Sequence, residues 1–167
     1  MVYKLVIFDG DETLWQGPDG VGISDNGATD MEGDNGLRFA ADDSTLIIRS
    51  DDKRVELYPE AREVLAALKE RGVLVALCTW NHPSPINSAL KAWRLEPYFD
   101  YVAAEWNPDK EHMLRAIVQQ LGVQPSEAVF VDDDPRRGHR EQAERVGVAF
   151  RQKGTEITDL RQVLALV

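Results

Sequence analysis

The chain has one cysteine, three histidines, six lysines and no long apolar run in its 167 residues, and each scarcity removes a class of chemistry. Cys78 alone can close no internal disulfide and supports no cysteine metal cluster, so any metal must be held mainly by oxygen. No apolar segment approaches the roughly 20 residues that span a bilayer, and no basic region followed by an apolar stretch opens the chain. A cytoplasmic protein without a membrane partner is therefore expected. Positive charge is also short: 19 basic residues face 29 acidic ones, a formal net charge of -10, which opposes binding to nucleic acid or anionic lipid. At 43% hydrophobic, the sequence can bury a sizeable core, and one domain over 1–167 is expected.

The most informative stretch is YKLVIFDGDETLW, from Tyr3 to Trp15. The apolar run Leu5 to Phe8 is too short for a helix and reads as a buried strand. It ends in Asp9, Gly10, Asp11, Glu12 and Thr13. Two carboxylates at i and i+2 beside a buried strand are costly unless a cation offsets them. Gly10 between them permits a tight turn and close approach of a ligand. Taken alone, DGD is equally compatible with an acidic turn.

After Trp15 the texture changes. Residues 16 to 53 carry seven glycines and prolines and nine acidic residues with no helical period, so this region reads as an insertion. Its first part reads as mobile loop. LRFAA, TLIIR and RVELY then suit an antiparallel flap of two or three strands. PEAREVLAALKERG is a helix, with proline in its first turn, Ala61, Val64, Leu65 and Leu68 on one face, and Gly72 as its stop. Val73 to Cys78 is a second buried strand. Further elements are a helix over Pro85–Trp93, a strand near Tyr101–Ala103, a helix over Lys110–Leu121, a strand at Ala128–Val131, a helix over Arg137–Val146, the strand VAF and a closing helix over 157–166. Strands alternating with helices predict a mainly parallel sheet covered on both faces.

In such a sheet the C-terminal strand ends meet in one crevice. Asp9 and Asp11, then Thr79, then Lys110, then Asp132 and Asp133 all fall at such boundaries. Carboxylates without cysteine or histidine suit a hard cation that keeps several waters, pointing to magnesium, and a hydroxyl and a lysine beside it complete a phosphate site. Each position has a plainer alternative: Thr79 could cap the following helix, Lys110 could start a helix on a solvated face, and Asp134 before Pro135 reads as turn chemistry. Cys78 reads as a small core residue, His112 and His139 as surface helix positions, and no histidine receives a role. His82 lies near enough to Thr79 in sequence to touch substrate. Trp15, Trp80 and Asn81 could line the mouth of the site or pack, and Trp93 and Trp106 could be core or interface.

The segments FDGDETLW, LCTW, NPDK and VFVDDDP, in that order, resemble the four signature motifs of the haloacid dehalogenase superfamily of phosphohydrolases. The resemblance is closest to the small magnesium-dependent phosphatases, where a tryptophan also follows the first motif, the insertion is short and a segment like Leu57 to Glu60 opens the next helix. It covers nearly the whole chain, weakly between residues 16 and 50. It implies a Rossmann-like three-layer α/β/α sandwich, with residues 16–58 as a loop and small β-flap in place of a cap domain. It further implies a Mg2+-dependent phosphomonoesterase working through an aspartyl phosphate. Asp9 would be nucleophile and metal ligand. Asp11 would be general acid and base, with its backbone carbonyl on the metal. Thr79, with Trp80 beside it, and Lys110 would bind the phosphoryl group. Asp133 would ligate the metal directly, with Asp132 second or acting through water.

The departure from the family is the glycine-rich, acidic insertion, far too short for a full cap. An open site is expected to take a phosphorylated small molecule and to leave room for a phosphoprotein, while its acidity disfavours polyphosphates. Two rival readings stand beside this one. LWQGPDGVG also resembles the start of domains that load a phosphorylated three-carbon unit onto acyl carrier proteins, although no basic carrier-binding patch is evident. A catalytically silent binding module of the same fold is the other, and it gives no reason to keep mutually repelling carboxylates.

Overall fold

The computed structural model describes residues 2–17, 22–23, 37–39, 45–48, 54–134 and 137–167. In chain order the elements are β1 (Leu5–Phe8), β2 (Trp15–Gln16), β3 (Leu37–Phe39), β4 (Thr45–Ile48), β5 (Arg54–Leu57), α1 (Ala61–Glu70), β6 (Leu74–Trp80), α2 (Pro83–Ala92), β7 (Tyr101–Glu105), α3 (Glu111–Gln120), β8 (Ala128–Asp132), α4 (His139–Val146) and β9 (Ala149–Gln152), followed by a 3-10 helix at Leu160–Ala165.

The apolar run of β1 is fully buried because it is the middle strand of a five-stranded parallel sheet, order β7-β6-β1-β8-β9. Leu5 to Phe8 pair with Leu74 to Leu77 on one side and with Ala128 to Val131 on the other. The chain leaves β1 toward β6 and β7, then crosses back to β8 and β9. The order therefore reverses at β1, and the C-terminal end of that strand opens into the crevice where α/β sheets bind ligands. Alternate side chains feed two cores. Val6 and Phe8 join Val64, Leu65 and Leu68 of α1, Ile86 and Leu90 of α2, and Leu160 and Val163. Leu5 and Ile7 join Met113, Leu114 and Ile117 of α3 with Ala143 and Val146 of α4. The result is the expected three-layer α/β/α sandwich, each buried aliphatic side chain contributing roughly 1.5–3 kcal/mol.

The α1 helix ends as its sequence predicts. Gly72 takes φ 71°, and the amides of Gly72 and Val73 donate to the carbonyls of Lys69 and Leu68, closing a Schellman motif. Beyond the main sheet, β2-β5-β4-β3 form a second, antiparallel sheet. The three expected flap strands correspond to β3, β4 and β5. The fourth member, β2, is only two residues long and follows the first motif directly, with Trp15 opposite Leu57. The expected mobile loop falls largely outside the described residues.

Several boundaries differ from expectation. α2 starts two residues earlier, at Pro83, whose fixed φ suits the first turn. β7 runs on to Glu105 because it pairs with β6 from Ala76 to that strand's end at Trp80. α4 begins at His139 instead of Arg137, since Gly138 sits in a left-handed conformation at its N-cap. The closing helix is 3-10 and confined to Leu160–Ala165, where buried Leu160 and Val163 lie three apart and Asp159 forms a capping box. No helix among the described residues is long and apolar enough to cross a membrane.

Candidate active site

Asp9 leaves β1 with its backbone N–H donating to Val131 O (2.9 Å), so the strand ladder itself fixes its position. The chain then turns on Gly10, whose carbonyl accepts from the amides of Thr13 (3.1 Å) and Leu14 (2.8 Å). Glu12 takes φ 59°, an uncommon conformation for a residue with a Cβ, stored inside this turn. Gly10 is required by close approach. A Cβ there would lie 2.4 Å from Trp15 Cζ2 and 3.1 Å from Thr79 Oγ1. Trp15 is fully buried and packs on Trp93 at 5.4 Å between ring centroids, so it has nowhere to go. Gly10→Ala is expected to cost about 1–3 kcal/mol by overpacking, lowering the melting temperature by roughly 3–10 °C in a thermal melt.

Lys110 precedes α3 and is 1% exposed, so it does not lie on a solvated face. Its backbone N–H donates to Gln142 Oε1 (2.8 Å), and its ammonium donates to Asp9 Oδ1 (2.6 Å) and Asp132 Oδ2 (2.8 Å). Asp132 is fully buried at the end of β8, with Oδ1 accepting from the Asp134 amide (2.7 Å). Asp133 is half-buried, and Thr13 Oγ1 reaches toward it at 3.4 Å. Oxygens of Asp9, Asp132 and Asp133 lie within 4.8 Å of one another.

The electrostatics of this trio are unbalanced. Burial raises the Asp9 carboxyl well above the usual carboxylate range; Lys110 pulls it down, but Asp132 and Asp133 push it up again. Burial acts upward on Asp132 too, but Lys110 and His139 prevail and bring it to about 2. Burial and Asp132 push Asp133 up to about 6. Three carboxylates thus converge on one ammonium, and the all-oxygen donor set fits a hard divalent cation that would supply the missing charge.

The Asp11 carboxylate lies outside the trio. Oδ1 accepts from Trp15 Nε1 (2.8 Å) and the Ile23 amide (3.0 Å), and Oδ2 accepts from Asn81 Nδ2 (2.5 Å). Burial nonetheless raises its pKa. Asn81 also donates to Thr79 Oγ1 (2.8 Å), tying the end of β6 to the first motif. Thr79 does not cap α2, whose N-cap is His82. The Trp80 indole turns to Trp106 and Arg137. Burial pushes the Cys78 thiol far up, which removes thiolate chemistry from the site.

One reading is corrected. His139 is not a surface position: it is 3% exposed, with Nδ1 3.0 Å from Asp132 Oδ2, though not in hydrogen-bonding orientation. Gln142, the acceptor for the Lys110 amide, is a second buried polar residue of α4 to which the sequence reading assigns no role. The signal was present, because His139, Gln142, Ala143 and Val146 follow helical spacing and all four are buried. A concavity of about 580 Å³ near Val2, Arg71 and Val167 lies at the opposite end of the sheet and gathers no comparable cluster.

The chain is 34% identical over 84 residues to a phosphoglycolate phosphatase of Rhodospirillum rubrum, a match covering 47% of this chain and 34% of that protein. It is 30% identical over 87 residues to (S)-2-haloacid dehalogenase 4A of Burkholderia cepacia, covering 49% and 37% respectively. The chain thus spans little more than a third of the length of these relatives. A haloacid dehalogenase superfamily hydrolase from Geobacter sulfurreducens shares the fold with a TM-score of 0.70 at 23% identity, covering 99% of this chain and 100% of that one. The family model for haloacid dehalogenase-like hydrolases matches residues 40–138, more than half of the sequence, and the chain belongs to that family.

Proposed function

We propose that the protein is a Mg2+-dependent phosphohydrolase that cleaves phosphate monoesters through Asp9. The observation that carries this reading is the buried Lys110 bridge between Asp9 and Asp132, set in a carboxylate trio that is short of positive charge. Asp9, Asp132, Asp133 and the Asp11 backbone carbonyl would hold the cation. When bound, it would offset the negative charge of the trio and of the incoming phosphoryl oxygens.

The chain's own residues then divide the work. Lys110 fixes the orientation of the Asp9 carboxylate, which attacks phosphorus and becomes an aspartyl phosphate as the ester oxygen leaves. Asp11 is the general acid: burial biases its carboxyl toward the protonated form, against the three donors that favour its charge, and it gives its proton to the leaving oxygen. As the resulting base, it takes a proton from the water that hydrolyses the acyl phosphate. Trp15, Ile23 and Asn81 hold it in place through both steps. Thr79 Oγ1 donates to a phosphoryl oxygen while it accepts from Asn81. Carbon–halogen cleavage, the reaction named for one relative, can also use a carboxylate nucleophile, but it transfers no anionic phosphoryl group, so a cation beside the trio and the Lys110 ammonium would have less negative charge to offset.

Hydrolysis of p-nitrophenyl phosphate tests the reading. Turnover is expected with Mg2+ and is lost on chelation. Because Asp133 must shed a proton held up to about 6, the apparent affinity for Mg2+ should rise as pH increases through that value. Turnover undiminished by chelator would refute the metal assignment.

A further inference from the structure

A row of four side chains along the C-terminal edge of the parallel sheet has no part in the chemistry above. The His82 and Trp106 rings stack at 4.8 Å and 12° from parallel. Trp106 meets Trp80 at 5.3 Å between centroids, and the Arg137 guanidinium lies 4.3 Å from the centre of a Trp80 ring. Trp80 ends β6, Trp106 follows β7, and Arg137 follows the β8 strand end, where its Nε pairs with Asp134 Oδ2 at 3.1 Å. In the order β7-β6-β1-β8, contacts running from the β7 and β6 ends to the segment after β8 cross the end of β1, where Asp9 sits. Trp80 also lies between Thr79 and Asn81, the two residues that link β6 to Asp11.

The row reaches the surface at two of its members: Trp80 and His82 are half-buried, and Trp106 and Arg137 are exposed. Trp15 and Trp93 are 0% and 1% exposed, whereas Trp106 is 47% exposed and, with Val2, one of two large apolar side chains exposed among the described residues. The Trp80 Nε1 donor is enclosed without an acceptor among the described residues. A half-exposed indole is unremarkable on a random surface. Here its ring contacts an imidazole and a second indole near the proposed phosphoryl site, so its orientation is set before any ligand arrives.

We propose that this row is the leaving-group subsite and that it receives planar aromatic groups, selecting aryl phosphates over alkyl and polyol phosphates. Offset or tilted stacking on fixed rings favours a flat π-system, and the Arg137 guanidinium over the Trp80 ring adds a cation–π contact that steadies the row. The inference rests on the phosphohydrolase reading for its catalytic test and has a binding test independent of it.

Phenyl phosphate and 2-naphthyl phosphate release phenols of similar acidity and differ chiefly in aromatic area. Wild-type protein is expected to favour the naphthyl ester in kcat/KM by about tenfold, Trp106→Ala to bring the ratio near one, and Trp106→Phe to keep most of it. A wild-type ratio near one, or an equal fall for both esters in Trp106→Ala, overturns the proposal. Calorimetry with phenylphosphonate and methylphosphonate separates the two claims. If no ester is turned over yet phenylphosphonate binds more tightly and Trp106→Ala erases the difference, the subsite stands and the hydrolase reading falls. If the two phosphonates bind alike, the subsite falls whatever the turnover.

Discussion

Asp9→Asn should lower kcat for p-nitrophenyl phosphate by at least about a thousandfold, because the amide keeps the shape of the side chain and loses its nucleophilic oxygen. The same substitution should leave the protein as stable as before, or slightly more so. Asp9 is one of three neighbouring carboxylates, two of which share the Lys110 ammonium, and burial already works against its charge. Removing that charge relieves repulsion, while Lys110 retains Asp132 at 2.8 Å. A thermal melt beside the kinetic assay reads both effects. Lost activity with unchanged or raised stability is the signature of a residue kept for chemistry; lost stability would mark Asp9 as structural.

Lys110→Met should act in the opposite direction on stability. Methionine fills much of the same volume, but it strands Asp9 and Asp132, 7% and 0% exposed, without their shared cation. Breaking a buried ion pair from one side costs about 3–5 kcal/mol, so the melting temperature in chelator should fall by roughly 6–20 °C. Activity should fall as well, since the orientation of Asp9 depends on the 2.6 Å contact. Mg2+ should recover part of the stability by supplying charge to the same carboxylates. A Lys110→Met protein as stable as wild type in chelator would mean that the trio does not depend on its lysine.

The two substitutions also show what the sequence could and could not reveal. β1 was legible because four consecutive apolar residues followed by DGD have few other uses, and its central place in the sheet explains why all four are buried. The helices were legible from their period, as with Ala61, Val64, Leu65 and Leu68. Lys110 was harder. Spacing alone placed it at an ordinary helix start, and only the crossover that carries α3 back over the sheet turns that start inward, a long-range consequence no local pattern expresses. His139 was misjudged because a histidine amid charged neighbours looks solvated, although its helical partners are buried. β2 escaped notice since two residues carry no alternation to detect. Asp11 illustrates a subtler gap. Its carboxylate is positioned by the Ile23 amide, contributed by the insertion, in a segment whose composition suggested only loop.

That last contact gives the insertion a part in the site without a cap domain. Ile23 is fully buried and reaches back to the first motif, so the segment after Trp15 helps orient the proposed acid–base group. The flap strand β5 pairs with β2, which continues directly from that motif. The antiparallel sheet is thereby joined through Trp15, which also bridges to Asp11, to the segment that carries the proposed acid–base group.

The central claim is that Asp9 carries the phosphoryl group between the ester and water. It is tested most directly by mass spectrometry of Asp11→Asn protein quenched in acid during incubation with p-nitrophenyl phosphate and Mg2+. Without its base, the variant should accumulate the acyl phosphate, so the peptide containing Asp9 should gain the mass of one phosphoryl group, and the gain should be absent when Asp9→Asn is added. A phosphoryl group found on another residue, or none on Asp9 while nitrophenol is still released, would contradict the account.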